Sequence, residues 1–274
     1  MGTGSLIGDA RSMSRLTWLA PVLLLAGCEL ALDGEPPDPP GPPLATYELV
    51  PRGNMALLGD GPLAWDGSAF WIVERDDDGQ YWTPDRMEIR RFDPATGTSS
   101  PPIVLTDHWE RATGGAWLDG HLWVHYDASN AGLVTSIDPA TGVETRRFNV
   151  GSGFGDIDTD GALLYFGQRD TSAVVEVRDT AGTIVAVRWS EGFQASLRGI
   201  ALVTPPGATA PELWGSTLAS NQLTIMVGDQ TIATASVPGF ANNDLGMLMF
   251  AGQTLIVGAR NQLFFFDVVR PPGA

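Results

Sequence analysis

Short apolar stretches separated by Asp, Gly and Pro recur along most of the chain, and they occur in pairs. Four pairs share one layout, an apolar run, a short turn and a stronger apolar run: GPLAWDGSAFWIV from Gly61, GGAWLDGHLWVHY from Gly114, FGDIDTDGALLYF from Phe154 and LGMLMFAGQTLIVG from Leu245. Asp-Gly between apolar runs predicts a β-hairpin, because both turn residues favour positive φ. The expected turns are Asp66-Gly67, Asp119-Gly120, Asp160-Gly161 and Ala251-Gly252.

A second kind of hairpin follows each of the first three. Its copies are MEIRRFDPATGT from Met87, LVTSIDPATGVETRRFNV from Leu133 and VVEVRDTAGTIVAVRWS from Val174. Proline after aspartate suits a type I turn, and the glycine supplies the left-handed residue that closes a short hairpin. A further copy of both hairpins begins at Arg198, with residues 204–211 in place of the first turn and Gly228-Asp229 as the second.

The repeat predicts the fold. The first residues of successive turns are 53 positions apart (66 to 119) and 41 apart (119 to 160), and the next two units together span 91 (160 to 251). Repeats of this length with four short strands each are typical of β-propellers, and no segment has helical periodicity. We expect an all-β, five-bladed β-propeller of four-stranded antiparallel blades. The last unit has only three strands, so a strand at residues 46–50 is expected to complete the last blade and close the ring.

Composition narrows the function classes. The chain has 16 basic and 32 acidic residues, for a net charge of −16. Such a surface repels phosphate backbones, which argues against nucleic-acid binding. A content of 43% hydrophobic residues with 9 tryptophans excludes wholesale disorder. We expect one monomeric folded domain, residues 45–270.

The only cysteine, Cys28, follows the segment MSRLTWLAPVLLLAG, which begins at Met13. One positive charge, an apolar run and small residues are the layout of a secretory signal. The apolar run is too short for a permanent membrane helix, which needs about 20 residues. We expect residues 1–27 to be a signal peptide, with Met13 as an alternative start.

The residues Leu25-Ala26-Gly27-Cys28 resemble the lipobox of bacterial lipoproteins. The resemblance implies diacylation of the Cys28 thiol, cleavage before it and acylation of the new N-terminus, as with palmitate. Several acyl chains give stable attachment, so the protein is expected on the cell envelope. Glu29 in place of aspartate favours the outer membrane. Residues 28–44, rich in proline, predict an extended tether of up to roughly 50 Å.

The repeated W-x-DG-x-LWV and ID-x-x-TG units resemble the propellers of the NHL-repeat and quinoprotein-dehydrogenase-like superfamilies over about residues 45–270. This resemblance implies a fold and little about function, because the architecture hosts binders, lyases, lactonases and oxidoreductases. Five-bladed glutaminyl cyclotransferases are similar in blade pattern. No stretch matches their catalytic motif, so their activity is not carried over.

Two acidic segments are metal candidates. In GDIDTDG, Asp156, Asp158 and Asp160 alternate as in a calcium loop, but Gly167 stands where such a loop needs its last carboxylate. The segment RDDDGQYWTPD is the better candidate, since Asp76, Asp78 and Asp85, with Asp77, could supply oxygen ligands to calcium. Most acidic loops are simply solvated, and that interpretation stays open. No cofactor is otherwise expected.

His121 and His125 have the spacing of a helical zinc motif, but they flank the strand LWV. Four strand residues separate them by roughly 13 Å, which is too far for one metal ion. The sequence contains neither a nucleophile-elbow serine nor a second cysteine, so a hydrolase catalytic triad has no support. We therefore assign no catalytic residue.

Loops between second and third strands, and the links between blades, should share one face of the propeller. Polar residues there are the expected ligand-face residues: Arg75, Asp76, Trp109, Glu110, Arg111, His125, Asp127, Arg169, Asp170, Arg198, Asp244, Arg260 and Asn261. The alternative is that they only satisfy backbone groups at strand ends.

These observations predict a membrane-anchored extracytoplasmic lipoprotein that binds a protein, peptide or glycan without turnover. The alternative is a metal-assisted propeller enzyme of lyase, lactonase or cyclotransferase type, using a carboxylate such as Asp76 or Asp127. A purely structural role in the envelope is a third interpretation.

Overall fold

The apolar stretches of the sequence form β-strands throughout the computed structural model. It describes residues 43–56, 63–76, 85–108, 111–128, 131–151, 153–169, 174–189, 197–217, 220–240, 245–259 and 262–272. The strands are β1 (Ala45–Ala56), β2 (Leu63–Trp65), β3 (Phe70–Asp76), β4 (Asp85–Asp93), β5 (Thr98–Ser99), β6 (Ile103–His108), β7 (Arg111–Leu118), β8 (His121–Ala128), β9 (Ala131–Ile137), β10 (Glu144–Gly151), β11 (Phe154–Thr159), β12 (Leu164–Gln168), β13 (Val174–Arg178), β14 (Ile184–Trp189), β15 (Leu197–Val203), β16 (Glu212–Thr217), β17 (Gln222–Val227), β18 (Gln230–Ser236), β19 (Leu248–Ala251), β20 (Thr254–Ala259) and β21 (Gln262–Val269). The predicted all-β class is confirmed, and within these ranges no helix could cross a membrane.

The strands form antiparallel sheets in chain order. Sheet I contains β2 to β6, sheet II β7 to β10, sheet III β11 to β14, sheet IV β15 to β18, and sheet V β19 to β21 together with β1. In each sheet most hydrogen-bonded neighbours are consecutive along the chain, as the repeated hairpins predict. Sheets II and III are four-stranded antiparallel units as predicted, whereas sheet I has a fifth strand because β4 pairs with both β5 and β6.

The N-terminal strand joins two sheets. From Glu48 to Ala56, β1 pairs antiparallel with the last strand, β21, as the sequence predicts. Its first residues, Ala45 to Tyr47, also pair parallel with Ala233 to Ala235 of β18, which was not predicted. The strand is accordingly longer than the expected residues 46–50. Through β1, sheets IV and V form one continuous eight-stranded sheet.

A buried carboxylate fixes this junction. Glu212 of β16 accepts hydrogen bonds from Tyr47 (3.1 Å), Trp214 Nε1 (3.0 Å) and Arg270 (2.8 Å). Its charge is thus paired and hydrogen-bonded, as a buried carboxylate requires. Burial and the neighbouring Glu212 raise the pKa of Tyr47 to about 12. The contact ties β1, sheet IV and the residue after β21 together.

The first strands of the five sheets contact one another in a closed series. In the described residues β2 contacts β7, β7 contacts β11, β11 contacts β15, β15 contacts β19, and β19 contacts β2. We call β2, β7, β11, β15 and β19 the inner strands. One apolar cluster lies between each successive pair of sheets, including sheets V and I, where Phe70 and Ile72 pack with Met249, Ile256 and Leu263.

The predicted turns are correct in position more often than in length. Asp119-Gly120 is a two-residue turn with both φ values positive, 54° and 74°. The turns at Asp66 and Asp160 are longer, spanning residues 66–69 and 160–163, because each carboxylate accepts amide hydrogen bonds from two residues of its own turn. The last turn lies one residue later than expected, at residues 252–253. The predicted loop at residues 204–211 separates β15 from β16.

Candidate functional site

Two carboxylates of β11 reach across to the next inner strand. Asp156 accepts hydrogen bonds from the amides of Ile157 (3.0 Å) and, on β15, Ile200 (3.1 Å). Asp158 repeats the arrangement with Thr159 (2.8 Å) and Leu202 of β15 (2.7 Å). Alternate residues of a strand share one face, so this pair bridges sheet III to sheet IV. This contact explains the two aspartates that the turn at Asp160 leaves unexplained.

Burial shifts the pKa of both groups. It raises the pKa of Asp156 to about 8, although the amide hydrogen bonds and Arg169 favour the charged form. It raises the pKa of Asp158 to about 7, again against two amide hydrogen bonds. By solvent exposure, Asp156 is buried (4% exposed) and Asp158 is half-buried. Desolvation is thus the dominant effect at both carboxylates.

Asp158 also lines a cavity between the inner strands. The cavity has a volume of about 120 Å³, and all five inner strands contribute to its wall. Its lining residues are Ala64, Trp65, Gly115, Ala116, Trp117, Ile157, Asp158, Thr159, Leu202, Leu248, Met249 and Phe250. Trp65 and Thr159 end β2 and β11, so the cavity lies beside the turns that follow the inner strands. The expected ligand face lies at the opposite ends of these strands.

His125 lies inside the protein below that expected ligand face. Its side chain is 0% exposed, and Nδ1 is 2.7 Å from Thr113 Oγ1. Burial and the charge of Arg169 lower the pKa of His125 to about 4, so the ring is neutral at pH 7. The ring packs edge-on against Phe166. A ligand on the surface cannot reach this imidazole without a rearrangement.

The structure shows few of the other predicted ligand-face side chains. Asp127 and Arg169 are exposed, and Arg198 is half-buried. Arg169 lies against Gly155, where any Cβ would collide with its side chain. The side chains of Arg75, Asp76 and Arg111 and the residues Trp109, Glu110, Asp170, Asp244, Arg260 and Asn261 lie outside the described parts. Arg111 and Asp127 are nonetheless direct partners in the backbone register of β7 and β8.

The metal prediction falls largely on residues that are not described. Asp78 and the side chains of Asp76 and Asp85 are among them, as is Cys28. Among the side chains that are described, no group of three or more His, Cys, Asp or Glu could hold a metal ion. The carboxylate of Asp160 accepts hydrogen bonds from the amides of Ala162 and Leu163 in its own turn and from the hydroxyl of Tyr165.

The sequence analysis considered Asp158 only as a weak calcium candidate and did not anticipate its place beside a cavity. The available signal was its place in a strand of otherwise apolar residues, at a spacing of two from Asp156. An acidic residue in a buried strand needs hydrogen-bond donors, which here belong to a strand 44 residues away.

No family model and no curated protein matches this chain. Solved structures do match in shape. Glutaminyl cyclase from Myxococcus xanthus is similar with a TM-score of 0.59 and 12% identity, over 84% of this chain and 100% of that chain. A chain of the mitotic checkpoint complex is similar with a TM-score of 0.51 and 12% identity, over 81% of this chain and 95% of that one. At this identity the likeness concerns the fold alone, which is propeller-like.

Proposed function

We propose that the chain is a five-bladed β-propeller lipoprotein, anchored to the outside of a bacterial membrane through Cys28, that binds a protein, peptide or glycan without turnover. The closed series of contacts among the inner strands is the observation that carries the proposal. It supports one blade per sheet around a common axis, with β1 completing the last blade. Propeller blades surround a central channel, so we expect the ligand on the face where the loops around that channel come together.

The anchor can be tested directly. Cells expressing the full chain should incorporate radiolabelled palmitate into the protein and retain it in the membrane fraction. Cys28→Ala should abolish labelling and release the protein from membranes, because the thiol is the expected acylation site. Substituting Ala26→Gly, which keeps a small residue before Cys28, is the matched control and should leave labelling unchanged. Equal labelling of the Cys28→Ala variant would contradict the anchor.

The binding role can be tested at Asp127, which is exposed at the end of β8. A photo-crosslinking amino acid placed there in anchored protein should yield one discrete adduct in cells. The control position is Val143, 57% exposed in the turn between β9 and β10 of the same sheet. It lies at the other end of that sheet and should give no adduct. Identical adducts at both positions, or none at either, would count against a ligand on this face.

The enzyme alternative rests on Asp76, Asp78 and Asp85 as metal ligands, and it stays a prediction. Millimolar calcium or zinc should then raise the Tm by several degrees, and the double substitution Asp76→Asn with Asp78→Asn should remove the effect. No response to either metal favours the binding role.

A further inference from the structure

We propose that the cavity beside Asp158 is a binding site for a small organic cation, such as a methylated ammonium group. This site lies at the end of the inner strands away from the expected ligand face. It therefore adds to the proposed function and does not depend on it.

The charge of the cavity favours a cation. Asp158 is the only ionisable residue among the described residues that line it. No arginine or histidine forms an ion pair with Asp158 among the described residues, and the charge that acts on it is the like charge of Asp160. A carboxylate held by two backbone amides keeps lone pairs for a further partner. A cation in the cavity would supply the missing counter-charge.

The size and the aromatic lining favour an organic cation. A volume of about 120 Å³ exceeds the share of a single water molecule in the liquid, about 30 Å³, several-fold. Trp65 and Trp117 are half-buried and lie in the wall with Phe250. Trp117 stacks on Trp71 at 5.5 Å and 6° between planes, which holds its ring in place. Tryptophan is the best cation–π partner for alkylated ammonium groups.

A divalent metal fits the same wall poorly. Calcium takes six to eight oxygen ligands and usually several carboxylates, whereas the described residues of the lining offer a single carboxylate, Asp158. The hydroxyl of Thr159, also in the wall, already donates to the carbonyl of Leu163 and accepts from the amide of Gly161. Among the described lining residues the thioether of Met249 is the one soft ligand, and a single thioether with a single carboxylate does not complete a metal site.

The test is isothermal titration of the full-length protein in a non-ionic detergent at constant ionic strength and at pH 8.5, above the pKa of Asp158 of about 7, so that the carboxyl is charged. The probes are methylammonium, trimethylammonium and tetramethylammonium chloride, with calcium chloride and the neutral tert-butanol as comparisons. We expect saturable binding of the ammonium probes that strengthens with methylation, and no saturable binding of tert-butanol or calcium. Equal binding of tert-butanol, or stronger binding of calcium, would overturn the inference, as would no binding of any ammonium probe.

Two matched variants separate the cavity from the bridge. Asp158→Asn should weaken binding by at least about tenfold, because a charge pair within the cavity is lost. Asp156→Asn alters the same kind of bridge to β15 but does not line the cavity, so its affinity should stay within about twofold. Trp117→Leu should weaken binding by about three- to tenfold. If both aspartate variants bind alike, the inference fails; circular dichroism of each confirms that it is folded.

Discussion

The two boundaries of sheet III are built in opposite ways. Between β7 and β11 the backbones approach directly, and a Cβ at Gly114 would lie 2.7 Å from the amide nitrogen of Ile157. Between β11 and β15, Asp156 and Asp158 fill the gap and bind the amides of Ile200 and Leu202. An inner strand is hydrogen-bonded to a neighbouring strand along one edge only. The backbone N–H and C=O groups of its other edge therefore need other partners or close packing. The carboxylates make the second boundary sensitive to pH near neutrality, whereas the titrating group at the first boundary is His125, which packs against Phe166 and has a pKa lowered to about 4.

The largest effect is expected where backbones touch. Gly199 of β15 repeats the close approach, since its Cβ would lie 2.5 Å from the carbonyl oxygen of Gly246 and 2.8 Å from the amide nitrogen of Leu248. Gly199→Ala should lower the free energy of unfolding by about 3 kcal/mol in urea denaturation, because neither backbone atom can move cheaply. The control Gly258→Ala, whose Cβ would lie 3.4 Å from the flexible end of Met247, should cost less than about 1 kcal/mol. Equal costs would show that close approach is not the cause.

Removal of a bridging carboxylate should have a smaller effect. Asp156→Ala leaves the buried amide of Ile200 without its acceptor, which should lower the free energy of unfolding by about 2 kcal/mol. The control Asp127→Ala removes an exposed carboxylate and should change the free energy of unfolding by less than about 0.5 kcal/mol. If Asp156→Ala lowers the free energy of unfolding no more than Asp127→Ala does, the Asp156 bridge does not stabilise the fold.

The pH dependence distinguishes the two boundaries most directly. The pKa values of Asp156 and Asp158, about 8 and 7, lie above the ordinary 3.8, so the folded protein keeps protons that the unfolded chain releases. Their contribution to stability is complete below about pH 4 and is lost as the pH rises through 7 and 8. We expect the free energy of unfolding to fall by up to about 1.4 kcal/mol per pH unit per carboxylate. Measurements from pH 6.5 to 8 are best, since below this range His125, with its lowered pKa, acts in the opposite sense.

The double variant Asp156→Asn with Asp158→Asn is the test of that assignment. It should flatten the dependence between pH 6.5 and 8, whereas Gly258→Ala should retain it. An unchanged slope in the double variant would assign the dependence to other groups.

The smallest effect is expected at Asp158. Its side chain borders the cavity and is half-buried, so water can reach the amide of Leu202 when the carboxylate is removed. Asp158→Ala should therefore cost about 1 kcal/mol, less than Asp156→Ala, in the same urea titrations. The reverse order would indicate that the cavity is closed to water.

The hairpins could be predicted because their signals are local. Asp119 and Gly120 adopt the positive φ values that their residue types favour, and the loop at residues 204–211 has the predicted bounds. The turns at Asp66 and Asp160 differ because a side chain that caps two amides stabilises a longer turn equally well. The Asp-Gly pair alone does not show whether the turn has two residues or four.

The site depended on contacts that no local pattern contains. His125 was expected at a strand end on the ligand face, but Phe166 and the glycine at position 132 allow its ring to be buried. Asp158 finds its donor on β15 only after sheets III and IV have packed. The parallel pairing of β1 with β18 is equally non-local, since it joins residues 45–47 to residues 233–235.

The shared strand β1 also imposes an order on assembly. It is the first described strand to be synthesised, yet its partners in β18 and β21 are among the last. Pairings so distant along the chain are slow to form. A growing polypeptide therefore carries β1 without its antiparallel partner until translation is nearly finished, and a truncated product that lacks β21 leaves β1 paired through residues 45–47 alone.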